Sequence, residues 1–489
     1  MHTFPLQSCA FQELPANMYY RVLPEPLNSP YWIARNYMLA HQLGLPESCF
    51  GPVDNLLCLA GSIKTYHPKP LATAYAGHQF GVYVSPLGDG RAMLLGETVD
   101  NAGKPWEWPL EGDDRTHFIR SDGDGRAVLR SSIREYLCSE TMHGLGIPTT
   151  RALSITGSQD IIMREEAETA AIVTRIAPSF VRFGHFEYWY ICGHRDNVKA
   201  LADMLIDQHF PECRQAFNPY QALFANITRR TAELVAAWQS IGFCHGVLNT
   251  DNMSVLGLTI DYGPFCFLEH YNPQHVCNSV DITGRYAFNE QPHITEWNLS
   301  RLAPCFLGLV LEDDLMAQLE LYQGYLNEVY MQRMRAKLGL MAEDVHDTEL
   351  VCDLLNLLKD CQVDYTLFFR YLSKLNPAQG APMPEQLVSL FHGPMFEFQR
   401  WVGRYRSRLL AENSDPAERV TRMNRHNPLY ILRTYLIEAA IKQAENGDSS
   451  EISRLHRCMQ NPFDERPEFI DYVGLPSSWL NSMAVRSSS

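Results

Sequence analysis

An α/β region followed by a mainly helical one is the fold class this sequence predicts. Three observations carry it. Short runs of β-branched and aliphatic residues, bounded by glycine turns, crowd the stretch from Gly81 to Val173. Apolar residues at helical spacing begin at Arg126 and again at Phe224. Beyond about residue 295 the helical pattern runs nearly without interruption.

In chain order, residues 1 to about 70 alternate helical patterns with proline punctuation, as in Leu23-Pro24-Glu25-Pro26. Gly81-Val82-Tyr83-Val84 reads as a strand, Leu87-Gly88-Asp89-Gly90 as a tight turn and Ala92-Met93-Leu94-Leu95 as the returning strand. Ala127, Leu129, Ile133, Leu137 and Met142 mark a long helix from Arg126, ended by Gly144 and Gly146. Ile155, Thr156, Ile161, Ile162, Ile172 and Val173 suggest further strands. Phe224–Ile241 is an amphipathic helix stopped by Gly242, and Leu256–Glu269 a strand interrupted at Asp261-Tyr262-Gly263-Pro264. Helices follow over Asp313–Lys337, Thr348–Asp360 and Leu429–Asn446, the last closed by Gly447.

Bulk properties exclude several classes. With 489 residues the chain is too long for one small core, and 46% hydrophobic with 20% charged residues is ordinary globular composition. A formal net charge of -15 argues against non-specific nucleic-acid or membrane binding, because most of the surface repels phosphate. The 13 cysteines are odd in number and form no CxxC pair, so a reducing cytosol fits better than a disulfide framework. Met1–Pro15 holds no Lys or Arg and no long apolar run, unlike a secretory or transit segment. No apolar run approaches the roughly 18–20 residues that span a bilayer. The expected location is therefore the cytoplasm.

The residues with chemical potential cluster in a few motifs. His245-Gly246-Val247-Leu248-Asn249-Thr250-Asp251-Asn252 follows the amphipathic helix, and Asp261-Tyr262-Gly263 begins nine residues after Asn252. Phosphoryl chemistry needs an acidic group near the acceptor and a few hard oxygens on a divalent cation. Asp251 is the candidate base, and Asn252 and Asp261 are the candidate oxygen ligands. The competing reading is a pair of polar turns. The glycines of Leu87-Gly88-Asp89-Gly90-Arg91 allow close approach to a phosphate that Arg91 could bind, or make an ordinary turn beside a surface arginine. Asp122-Gly123-Asp124-Gly125-Arg126 opens the long helix, either as a phosphate-binding N-terminus or as simple capping by Asp124. Glu135 lies inside that helix, as an ion-pair partner or on a solvated face. Arg175 and Arg182 suit anionic oxygens or surface salt bridges. His185, Cys192 and His194 match no zinc spacing and lack a fourth ligand, so packed or exposed side chains are the better reading.

Several longer stretches carry a resemblance. Tyr75-Ala76-Gly77-His78-Gln79-Phe80-Gly81-Val82, Leu87–Arg91, Gly123–Glu135, Leu145-Gly146-Ile147-Pro148-Thr149-Thr150-Arg151-Ala152-Leu153, Arg182-Phe183-Gly184-His185-Phe186-Glu187 and His245–Gly263 together resemble the selenoprotein O family, called YdiU in bacteria, over nearly the whole chain. The resemblance implies a protein-kinase-like fold: an N-terminal extension packed on the core over 1–70, an α/β nucleotide-binding lobe over 71–200, a mainly helical lobe with the metal-binding loop over 201–476, and a flexible tail over 477–489. It implies a nucleotide held in a flipped pose and transfer of AMP, or UMP, from ATP or UTP to Ser, Thr or Tyr hydroxyls of proteins. By the same resemblance Gly88, Gly90 and Arg91 contact phosphates, Asp124 and Gly125 line the nucleotide, and Arg175 and Arg182 hold the distal phosphates. Asp251 accepts the proton, and Asn252 and Asp261 hold Mg²⁺ or Mn²⁺.

The sequence departs from the family pattern in places. Where that pattern reads Leu-Lys-Gly-Ala-Gly, this chain has Leu110-Glu111-Gly112-Asp113-Asp114, so a phosphate-binding lysine is replaced by Glu111. In the lysine's position Glu111 faces Glu135 and repels phosphate, which implies a catalytically impaired nucleotide-binding protein as the alternative function. The tail Val485-Arg486-Ser487-Ser488-Ser489 has no cysteine, and Cys277, which sits where relatives place half of a disulfide, is expected to be an unpaired thiol.

Overall fold

The computed structural model describes residues 4–63, 66–85, 87, 92–112, 125–164, 166–392 and 395–474. Its main sheet is built from β1 (Tyr19–Arg21), β2 (Tyr31–Arg35), β3 (Leu71–Thr73), β6 (Ala92–Val99), β7 (Pro105–Glu111), β8 (Ala127–Val128), β9 (Arg151–Met163) and β10 (Ala167–Ile176), while β4 (Gly77–Gln79) and β5 (Val82–Val84) form a separate hairpin. The eight strands of the main sheet run β1-β3-β6-β7-β10-β9-β2, with β8 also pairing β10, and every pairing within it is antiparallel. Register matters for the site. Val173 lies opposite Glu111 and Thr174 opposite Leu110. Because side chains alternate faces, Arg175 therefore emerges on the same face as Glu111, within diagonal reach.

Helices cover this sheet and make up the rest of the chain. The N-terminal segment adds α1 (Tyr37–Gln42) and α2 (Val53–Leu59); α3 (Leu129–Gly144) packs against β9 and β10. It is followed by α4 (Phe183–Ile191), α5 (Arg195–His209) and α6 (Pro219–Ile241). Gly242, at φ 74°, takes the left-handed conformation that ends α6 and turns the chain into β11 (Phe243–Cys244). β11 pairs with β12 (Cys266–Phe267), and the chain between them forms the loop 245–265. After α7 (Gln291–Leu302) and α8 (Glu312–Glu320) come α9 (Tyr322–Lys337), α10 (Asp347–Asp360), α11 (Tyr365–Leu372), α12 (Glu385–Val388), α13 (Met395–Glu412), α14 (Pro416–His426), α15 (Thr434–Glu445) and α16 (Ser450–Met459).

One large core joins α3, α4, α5 and α6 to α15 and α16; a second fills the space among α9 to α14, and a third sits between α1, α2 and the sheet. None of the helices of the described residues is long and apolar enough to cross a membrane.

Four element assignments are corrected. Val82–Val84 does not return to Ala92; it pairs with Gly77–Gln79, and β6 pairs with β3 and β7. Phe80 (φ 49°) and Gly81 (φ 83°) form a two-residue turn whose positive φ angles match the strand twist, so the shorter closure wins. The glycine turn before the long helix does not open it: β8 intervenes, α3 starts at Leu129, and its N-cap is Val128 without a side-chain cap. Asp313–Lys337 is two helices that meet at Leu321. The strand expected over Leu256–Glu269 is limited to Cys266–Phe267. Residues 1–70 also supply β1 and β2, strands their helical pattern did not announce.

Candidate functional site

The 245–252 loop is tied down from both ends. His245 Nε2 bonds the Ile260 carbonyl at 2.8 Å, and Thr250–Asn252 form one 3₁₀ turn. Asn252 donates from Nδ2 to the Val247 carbonyl at 2.9 Å, which leaves Oδ1 as its oxygen for other partners. The β4–β5 hairpin lies directly on the turn. The His78 amide donates to the Thr250 hydroxyl oxygen at 2.7 Å, and Gln79 Nε2 donates to Asp251 Oδ2 at 3.1 Å. Gly77 is required here: a Cβ on it would fall 2.3 Å from Asp251 Oδ1. The Thr250 hydroxyl donates to Glu187, whose other oxygen meets His78 Nδ1 at 2.6 Å. Tyr286 donates its hydroxyl to Asn249 Oδ1 at 2.6 Å and accepts from the Phe80 amide at 2.9 Å.

Asp251 sits at the centre, 7% exposed. Its Oδ1 has no hydrogen-bond partner among the described residues. Burial pushes its carboxyl up to about 6, against the pull of Gln79 and Arg182. A carboxylate so placed has lone pairs available for a proton and a pKa close to neutral.

Next to it, two buried arginines converge on Asp261. Arg175 Nη1 donates to Asp261 Oδ1 at 2.9 Å; Arg182 binds both carboxylate oxygens, through Nη1 to Oδ2 and through Nη2 to Oδ1 at 3.2 Å. Arg182 Nη1 also reaches the Asp251 carbonyl at 2.9 Å, so one side chain joins the two aspartates. Phe180 and Tyr75 lie against the guanidiniums of Arg175 and Arg182, each 5.0 Å from ring centroid to Cζ. Burial pushes the Asp261 carboxyl up, but Arg182 and Arg175 outweigh it and hold the group well below the usual carboxylate range. Asp261 itself adopts φ 59°, a left-handed backbone that aspartate tolerates better than most residues.

Arg175 has further partners. Glu111 Oε2 lies 3.0 Å from its Nη1, and Glu135 Oε1 lies 3.1 Å from its Nε. Glu135 also accepts the Tyr262 amide at 2.7 Å. Burial pushes the Glu135 carboxyl up to about 7, and the nearby Glu111 and Asp261 charges add to that against Arg175. Thus neither Glu111 nor Glu135 faces the other across open space. They share one arginine, and Glu135 is buried rather than on a solvated helix face. Arg182, Arg175 and Phe180 also line a small cavity of roughly 30 Å³.

The structure therefore brings Asp251, Asn252, Asp261, Arg175 and Arg182 into one place. Gly125, at φ 75°, precedes β8, and its neighbour Arg126 pairs with Glu25 at 3.0 Å. Gly88, Gly90, Arg91 and Asp124 lie outside the described residues, as do Asp113 and Asp114. His185 is packed rather than poised for metal: its Nε2 meets the Thr73 hydroxyl at 2.9 Å. Gln79, His78 and Glu187 stood in family-like stretches without an assigned role, and Tyr286 was not singled out, because nothing in the order of residues announces that the hairpin lands on the loop.

A family model described as protein adenylyltransferase SelO matches residues 6–460. The chain belongs to the SelO family. A protein nucleotidyltransferase YdiU of Myxococcus xanthus is 47% identical over 480 residues, 98% of each chain. That of Thioalkalivibrio sulfidiphilus is 45% identical over 486 residues, again 98% of each. The Herminiimonas arsenicoxydans relative is 44% identical over 494 residues, covering 100% of this chain and 98% of its own. Asn252 Oδ1 and an ionised Asp261 are hard oxygens of the kind Mg²⁺ and Mn²⁺ take, one or two from the protein and the rest from phosphate and water. Among the described residues no three His, Cys, Asp or Glu side chains form a metal cage of their own.

Proposed function

We propose that this chain is a protein nucleotidyltransferase, moving AMP, or UMP, from the nucleoside triphosphate to Ser, Thr or Tyr hydroxyls of proteins. The observation that carries the reading is the convergence of Arg175 and Arg182 on Asp261, with Arg182 tied to the backbone of Asp251. In this reading Asp251 accepts the proton as the acceptor oxygen attacks the α-phosphorus. The new P–O bond forms as the α–β bridging bond breaks, and pyrophosphate leaves. Charge then grows on the β- and γ-oxygens, where the two arginines stabilise it; donors aimed at developing charge act on the transition state. Gly88, Gly90 and Arg91 contact the phosphates, and Asp124 and Gly125 line the nucleotide. Asn252 and Asp261 hold Mg²⁺ or Mn²⁺, which when bound neutralises phosphate charge.

The same reading takes the sheet region of 71–200 and the helical region of 201–476 as the two lobes of a kinase-like arrangement, with 1–70 packed on the core. It places the protein in the cytoplasm, where its 13 free cysteines stay reduced. Product analysis tests the reaction class: pyrophosphate released from ATP supports nucleotidyl transfer, and ADP excludes it.

Glu111 favours a second reading, a nucleotide-binding protein with impaired catalysis. It competes directly with phosphate for Arg175, and the group Glu111, Glu135, Asp261, Arg175, Arg182 holds three carboxyls against two guanidiniums. Calorimetric titration with ATP and Mn²⁺ separates the two: binding without any pyrophosphate release supports impairment.

A further inference from the structure

Two arginines share one tryptophan beside the β4–β5 hairpin. The Arg285 guanidinium carbon lies 4.7 Å from the Trp297 ring centroid, and that of Arg301 lies 5.1 Å from it, so the two charges stand within about 10 Å of each other. Trp297 is half-buried on α7, and the His78 ring meets it edge-on with centroids 5.4 Å apart. Neither arginine is engaged by a carboxylate. Among the described residues no ion pair involves Arg285 or Arg301, and Arg285 Nε is buried without a hydrogen-bond partner. Asp281, the nearest acid in sequence, accepts instead from the Arg285 and Tyr286 amides, at 2.9 and 2.7 Å. The exposed Arg301 donates to the Ser300 hydroxyl at 3.3 Å. By contrast Arg151, Arg175, Arg182 and Arg433 are each locked to buried acids.

The pair is joined to the candidate base by the hairpin. A Cβ on Gly81 would lie 3.5 Å from the Arg285 guanidinium carbon, and one on Gly77 would lie 2.3 Å from Asp251 Oδ1. From Gly77 to Gly81 the chain runs along one short strand and into the turn, on the order of 10 Å at about 3.3 Å per residue. Extended peptide covers that length in about three residues. Between the two glycines the exposed Phe80 packs on Tyr286, with ring centroids 5.1 Å apart, and Tyr286 holds Asn249 in the loop of Asp251. A continuous surface thus leads from the base to the two cations.

We propose that Arg285 and Arg301 recognise a carboxylate of the acceptor protein, an Asp or Glu a few residues from the hydroxyl that receives the nucleotide. The inference rests on the transfer reading for the role of that hydroxyl. Charge complementarity selects the occupant. The chain carries a formal net charge of -15 and repels acidic segments over most of its surface, so two unpaired guanidiniums beside the base make a local exception. A guanidinium fork matches a carboxylate in shape as well as charge. The preference is positional, because an acid directly next to the acceptor hydroxyl meets Asp251 instead of the arginines. Half-buried Arg285 contributes more than exposed Arg301, whose charge is screened by solvent.

The test uses fluorescein-labelled alanine-glycine peptides with one central tyrosine and a single Glu walked along either side, each matched by the same peptide with Gln. Binding to the full-length chain is read by fluorescence anisotropy without metal, so that no turnover intervenes. A Glu two to four residues from the tyrosine should bind about ten-fold tighter than its Gln mate, as one charge-assisted contact gives, and an adjacent Glu should bind no tighter. Arg285→Gln should bring that ratio close to one, and Arg301→Gln should lower it by about three-fold. Arg301→Gln changes an exposed side chain and keeps the test decisive if Arg285→Gln fails to fold. Equal binding of Glu and Gln peptides, a ratio independent of position, a ratio that survives these variants, or no saturable binding of any peptide overturns the proposal. Weaker ATP binding by Arg285→Gln in calorimetry would assign the arginines to nucleotide phosphate and overturn it too. Pyrophosphate release with the same peptides, ATP and Mn²⁺ is scored separately. Its absence from every peptide contradicts the transfer reading, while the binding ratio still decides whether the arginines read an acid.

Discussion

Glu111 and Arg175 show how a single residue resets a site. Register puts them on one face of the sheet, and α3 brings Glu135 to the same guanidinium. Under the transfer reading, Glu111→Gln frees Arg175 from one of its carboxylates, and Glu111→Lys adds a cation as well. We expect kcat/KM to rise in that order, by on the order of 10²-fold for lysine, the size of effect one well-placed donor has on a developing anion. Equal rates in wild type and both variants would mean Glu111 does not compete with phosphate. Asp251 makes a second residue-scale prediction. A base works when unprotonated, so a group pushed up to about 6 gives a rate that climbs as pH rises through about 6 and levels above it. Asp251→Asn should lower the rate by about 10²–10⁴-fold with nucleotide binding retained. A limb at the ordinary carboxylate value, near 4, would contradict the role of burial.

At the scale of elements, the hairpin β4–β5 and the helix α3 do the positioning. Gly77→Ala forces the hairpin and Asp251 apart, because its Cβ has no room beside Oδ1. A displacement of about an ångström at the base is expected to cost on the order of 10²-fold in rate. Circular dichroism should remain that of wild type, and an unaffected rate would show that the hairpin does not set the base.

The helix α3 is anchored by Glu140, which takes Arg151 through both oxygens at 2.8 Å and Asn36 Nδ2 at 2.7 Å. Burial pushes the Glu140 carboxyl up, but His456 and Arg151 outweigh it and hold it well below the usual range. Its folded pKa is depressed, so its stabilising contribution is present above the unfolded value of about 4.3 and lost as pH falls through the folded one. Glu140→Ala leaves Arg151 buried without its partner and should cost about 3–5 kcal/mol in chemical denaturation at neutral pH. A loss below about 1 kcal/mol would contradict that anchoring. Elements with long periodic signals were readable from sequence: α6 ends at Gly242 as expected, and β9 and β10 span the β-branched stretch. The strand partners were not. Ala92 was expected to return beside Val82–Val84, but the Phe80-Gly81 turn folds that segment back on Gly77–Gln79, and Ala92 pairs with Glu111 on β7 instead. Likewise the end of α3 was legible from Gly144 and Gly146, but its start was not, because β8 borrows Ala127 and Val128 for pairing with β10.

Over the whole molecule, distant stretches of chain meet at one site: the hairpin near Gln79, β7 at Glu111, α3 at Glu135, β10 at Arg175, the start of α4 at Arg182, and the 245–265 loop. The residue types of Asp251, Asn252, Asp261, Arg175 and Arg182 were legible in sequence as candidates, since each suits phosphate or metal chemistry. Their mutual arrangement was not, because periodicity reports which face a residue takes and not which other element it meets. For that reason the capture of Arg175 by Glu111 appeared only in the structure, although the unusual charge of Glu111 was visible beforehand.

Nucleotidyl transfer is read by intact-mass spectrometry of this chain and a candidate acceptor protein after incubation with ATP or UTP and Mg²⁺ or Mn²⁺. The expected product is a protein heavier by one nucleoside monophosphate on a Ser, Thr or Tyr side chain, formed with metal and lost in Asp251→Asn. A protein heavier by a phosphate alone, or no adduct in either wild type or Glu111→Lys despite measured nucleotide binding, would contradict it.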